Sequence, residues 1–85
     1  MPIRYEQGRA VFDAACTVEE AVPLTEWLEA TPGSAVDLSR CTALHTALLQ
    51  ALLAANATLA VEPEDAFLRR WVAPLLGGAM VGRQT

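Results

Sequence analysis

The sequence has no lysine, one histidine, two cysteines and a single tyrosine. Each shortage removes a class of function. Positive charge rests on six arginines, and only Arg69 and Arg70 are adjacent. A phosphate backbone is bound by a basic stripe, so scattered arginines at a net charge of −4 argue against nucleic acid as a partner. Cys16 and Cys41 are too few for a disulfide framework. Together with His45 they fall short of the paired ligands that zinc takes, so no metal site is expected and both are read as free, buried thiols. The opening MPIRYEQGR is polar and has no signal-peptide core. The longest apolar-rich run, ALLQALLAANATLAV, is interrupted by Gln50, Asn56 and Thr58, and is too short and polar for a bilayer. A soluble, cytoplasmic protein with no direct membrane insertion is expected.

Apolar residues are plentiful. They make up 53% of the 85 residues, against 19% charged. The length implies one domain, placed at residues 1–80, with 81–85 a loose tail. A core of this size is thin, with a total stability of several kcal/mol. Some Ala and Leu must therefore remain on the surface, which invites a protein partner or a homodimer.

Along the chain, Ile3 to Tyr5 and Arg9 to Ala14 flank EQG and read as a hairpin. Thr17-Val18-Glu19-Glu20 has the spacing of a capping box and opens a helix to about Ala30, with Ala21, Leu24 and Leu28 on one face beside Trp27. Pro23 implies a kink there, or a helix that starts properly only near it. TPGS stops the helix, and AVDL at 35–38 reads as a buried parallel strand. A second helix is expected over about 45–55, with Asn56 as its C-terminal cap. TLAVE is the next strand, and Pro63 opens a third, amphipathic helix in which Phe67, Trp71 and Leu75 recur at i, i+4 and i+8. Pro74 and Gly77-Gly78 end it. The order β-β-α-β-α-β-α implies an α/β fold: a mixed, mainly parallel sheet of about four strands with helices packed on it.

At residues 37–48, DLSRCTALHTAL resembles the core motif of the STAS family, the sulphate-transporter and anti-sigma-factor-antagonist domain. That family ends a central strand with Asp-Leu-Ser and runs through a five-residue loop into Asp-Ser-x-Gly-Leu, which starts a helix. In this register His45 falls at the family's Asp, Thr46 at its phosphorylatable Ser and Leu48 at its Gly. TLAVEPEDAFLRRW is similar to the family's next strand, turn and helix, and the resemblance spans residues 8–76. It departs at His45, where an acid is usual, and in lacking the Gly after Thr46. The resemblance implies a STAS-like fold and a small stand-alone, non-enzymatic regulatory module. Its protein partner would be an anti-sigma kinase or a sensory complex, as for the bacterial antagonists. The contact would be built from Ser39, Arg40, Thr42, His45, Thr46, Leu49 and Gln50, with Thr46 as a phospho-acceptor. Two alternatives stay open: an accessory subunit on the ATPase of an ABC-type lipid transporter, and a small-ligand or nucleotide binder.

Read from its own chemistry, Thr46 is either a helix cap worth about 1 kcal/mol or a phospho-acceptor. The second role draws on the partial positive charge of a helix start, which suits a phosphoryl group. His45 either bonds nearby backbone or meets a partner. Asp37, within a buried strand, needs donors from the segment at 39–42. No Gly-rich phosphate loop, GxSxG or HExxH is present, and no acid–base pair stands out. No cofactor and no catalytic residue are expected.

Overall fold

The computed structural model describes residues 2–78, so the tail expected at 81–85 lies outside the described residues. The chain forms β1 (Ile3–Glu6), β2 (Arg9–Cys16), α1 (Ala21–Ala30), β3 (Ala35–Leu44), α2 (Thr46–Ala54), β4 (Thr58–Val61), α3 (Ala66–Trp71) and a two-residue β5 (Gly77–Gly78). Short 3-10 turns precede α1 at Val18–Glu20 and follow α3 at Ala73–Leu75. The sheet order is β1-β2-β3-β4-β5. β1 runs antiparallel to β2, and all later pairs are parallel. The fold is thus α/β with a mixed, mainly parallel sheet, as the alternation of elements implies.

Every parallel crossover steps to the next strand in the same direction. Right-handed connections then place all three helices on one face. The pleat agrees: Ile3, Ala10, Phe12, Val36, Leu38 and Leu59 enter one core with Leu24, Leu28, Leu48, Leu52 and Leu68 from the helices. Val11, between Ala10 and Phe12, faces the other way, in register with Arg4 and Asp37. That second face carries charge.

Four local features have identifiable causes. Gly8 and Gly33 sit at φ +72° and +76°, where a side chain is strained. α1 starts at Ala21, so Pro23 falls in its first turn, where a missing N–H leaves no bond broken and no kink is required. The capping box does not form. Thr17 makes no side-chain bond, its carbonyl accepts from Glu20 N at 3.0 Å, and Glu20 is buried. Asn56 takes φ +56° after α2. Its N–H donates to the Leu53 carbonyl and that of Ala57 to the Leu52 carbonyl, each at 3.1 Å, which is a Schellman closure.

Two further expectations are corrected. Residues 39–44, left between the strand expected at 35–38 and the helix expected from about 45, continue β3, because β2 supplies partners for them: Asp13 opposite Arg40, Ala14 opposite Cys41 and Cys16 opposite Leu44. Buried backbone groups find in this ladder what a loop would leave open. The stripe Phe67, Trp71 and Leu75 does not face the core, but is 65%, 58% and 55% exposed. The inward row is Leu68, Val72, Ala73 and Leu76, because Asp65 caps α3, its Oδ2 accepting from Leu68 N at 3.0 Å, and Leu76 must lead into β5.

The β2–β3 ladder shifts register twice, and between the shifts Ala14 holds φ +57°. An L-residue in this region is strained by about 1–2 kcal/mol. Ala14→Gly relieves that strain and gives back part of it as unfolded-state entropy. The variant should gain about 0.5–1 kcal/mol in urea unfolding, whereas an ordinary mid-strand Ala→Gly change loses stability.

Candidate functional site

At the carboxyl ends of β2 and β3, beside the amino end of α3, lies an open groove of about 530 Å³. Its polar lining is Asp13, Ser39, Arg40, Thr42, Glu64 and Asp65, and Ala14 and Cys41 complete it. Arg40 Nε stands 3.6 Å from Asp13 Oδ1 in an exposed pair. Three carboxylates against one guanidinium make the groove acidic, which disfavours phosphate or a nucleotide. Among the described residues, no group of three or more His, Cys, Asp or Glu side chains is placed to hold a metal ion.

Ser39 is committed to its own strand. Its N–H and its hydroxyl donate to Asp37 Oδ1 at 2.9 and 2.7 Å. The half-buried Asp37 thus finds its donors at the start of segment 39–42, and Ser39 is not free to meet a partner through that hydroxyl. Arg40 and Thr42 are exposed on the groove.

The ladder ends where His45 N donates to the Cys16 carbonyl at 3.0 Å. This contact makes His45, not Thr46, the cap of α2. His45 has extended backbone, and its Nδ1 accepts from Ala47 N at 3.0 Å. Its carbonyl accepts from Leu48 N and Leu49 N at 2.9 and 3.2 Å. Because Nδ1 accepts, the proton of the neutral ring sits on Nε2. Thr46 is then the first helical residue, exposed, and its hydroxyl has no hydrogen-bond partner among the described residues. Gln50 is exposed one turn on, while Leu49 packs against the core. The expected contact set therefore divides into Arg40 and Thr42 at the groove, His45, Thr46 and Gln50 at the start of α2, Ser39 spent on Asp37 at the groove's edge, and Leu49 turned inward.

Beneath the groove, Cys16 and Cys41 are free and buried. Cys16 Sγ lies 3.6 Å from the Asp13 carbonyl, and Cys41 Sγ lies 3.4 Å from that of Ala43. Each thiol is the main influence on the other: the neighbouring Cys41 holds Cys16 below the usual thiol value, and the neighbouring Cys16, together with burial, pushes Cys41 far above it. Towards β1 a second buried polar group appears that the sequence did not announce. Tyr5 packs on Trp27 with ring centroids 5.4 Å apart, and its hydroxyl and Glu20 Oε1 are buried without hydrogen-bond partners among the described residues. Burial first, then the negative charges of Glu20 and Cys16, raise the Tyr5 hydroxyl above its ordinary value.

Three outcomes follow. His45→Ala removes the cap and should lower unfolding free energy by about 1 kcal/mol, while His45→Asn retains most of it. Thr46→Ala should change it by only a few tenths, since no bond is lost; a larger loss in chemical denaturation would return the capping role to Thr46. Titration with an aromatic disulfide reagent should find no fast-reacting thiol in the native protein, and both after denaturation, because burial keeps the reagent from either sulfur.

Among the described residues no helix is long and apolar enough to cross a membrane. No protein-family model, curated protein or solved structure matches the chain.

Proposed function

We propose that the chain is a non-enzymatic, regulatory protein–protein interaction module of the STAS type, resembling the anti-sigma-factor antagonists. The observation that carries this reading is the junction of β3 and α2. A parallel strand beginning Ala-Val-Asp-Leu-Ser runs straight into a nine-residue helix, and Thr46, at the first helical position, is exposed with an unbonded hydroxyl. Such a hydroxyl is open to a kinase. A phosphoryl group there gains roughly 0.3–1 kcal/mol from the helix dipole. It also adds about −1.5 to −2 charges to the exposed start of α2. A partner reading Arg40, Thr42 and Gln50 would meet a different surface in the two states. The partner class that fits is a kinase-type anti-sigma factor or a sensory complex.

Geometry also supports a binding role over catalysis. The Ser39 hydroxyl is spent on Asp37, and His45 turns Nδ1 back onto its own helix. Neither is joined to the other as nucleophile and base.

Affinity capture from native extract with wild type, Thr46→Ala and Thr46→Glu tests the reading. The expected result is one partner retained by wild type and Thr46→Ala and lost with Thr46→Glu, together with phosphate on native Thr46 by mass spectrometry. A partner held equally by all three, with Thr46 unmodified, retires the switch.

A further inference from the structure

The stripe on α3 is independent of the Thr46 junction. Phe67 and Trp71 are more than half exposed, Leu75 continues the row past the end of the helix, and Leu53 of α2 is 40% exposed. Leu53 and Leu75 line one shallow cavity of about 150 Å³, so the row runs onto α2. An exposed row containing both a Trp and a Phe is the composition of an interface centre.

We infer that this stripe is the seam of a symmetric dimer, in which α3 of one copy packs antiparallel on α3 of a second copy. Charge selects that occupant and that orientation. The segment reads Glu-Asp-Ala-Phe-Leu-Arg-Arg-Trp from residue 64, acidic where α3 begins and basic where it ends. Arg69 is satisfied within its own chain by Glu62 at 3.2 Å. Arg70 and Glu64 have no ion-pair partner among the described residues, and Arg70 lies over the Trp71 ring at 5.1 Å. A two-fold axis across the seam brings the acidic end of each helix to the basic end of its partner, so Glu64 and Arg70 are paired twice. Parallel packing would set like charge on like and align the helix dipoles. Area places the dimer in the weak class. Scaled from the full area of such side chains, the four apolar residues offer on the order of 400 Å², about half of the 800 Å² or so that each partner contributes to a standard interface. Association should therefore reverse on dilution.

Sedimentation equilibrium of the full chain, from micromolar to millimolar, reads this directly. Wild type should move from 9.1 kDa towards twice that mass. Trp71→Ser should weaken association at least about tenfold, with an unchanged far-ultraviolet dichroism spectrum showing that the exposed position does not unfold the chain. Arg70→Glu and Glu64→Arg should each remain monomeric alone and form a dimer when mixed, because only the mixed pair restores both contacts. Thr46→Glu should associate like wild type, which separates failure here from failure of the switch. A wild type that stays at 9.1 kDa throughout overturns the dimer and leaves the stripe to residues 79–85 or another protein. A dimer indifferent to Trp71→Ser, or charge variants that do not rescue each other, overturns the antiparallel seam.

Discussion

The parallel pairing of β2 with β3 is the constraint on which the rest depends. It carries the chain from Arg9 opposite Ala35 to Cys16 opposite Leu44. In doing so it converts residues 39–44 into strand, brings the two thiols together and forms the floor of the groove. Its last bond, from His45 N to the Cys16 carbonyl, decides which residue caps α2. A central ladder of this kind is non-local: the strands pair across a helix, and no single segment announces its length.

That explains which parts of the fold were legible. Strand and helix order could be read because hydrophobic period and turn residues are local signals, and Leu24, Leu28, Leu48 and Leu52 all enter the core as their spacing requires. The extension of β3 could not be read. Ser-Arg-Cys-Thr-Ala-Leu is poor in β-branched residues and becomes strand only because β2 offers it partners. The cap was misassigned for a related reason. Thr is a commoner cap than His, and intrinsic preference ranked the pair correctly while the ladder's end overrode it. On α3 the ambiguity lay in the pattern itself: 67, 71, 75 and 68, 72, 76 are both rows of period four. The Asp65 cap and the entry to β5 chose the aliphatic row for the interior.

Of the candidate site, the sequence located the strand-to-helix junction but not the acidic character of the groove. Arg40 and Thr42, named because they adjoin the motif, line the groove. Asp13, Glu64 and Asp65 were missed because they arrive from distant segments, joined only when β2, β3 and the start of α3 are assembled. The buried Glu20 was hidden by a convincing capping-box spacing, which led the side chain to be placed at the helix entrance rather than beneath it.

The direction of the crossovers has a consequence for what the groove can hold. In open parallel sheets, enclosed ligand crevices form where strand order reverses and neighbouring connections part to opposite faces. Here the order never reverses, so the loops at the carboxyl ends all fold to the same side. The groove is left open, and a small metabolite seated in it would remain largely in water.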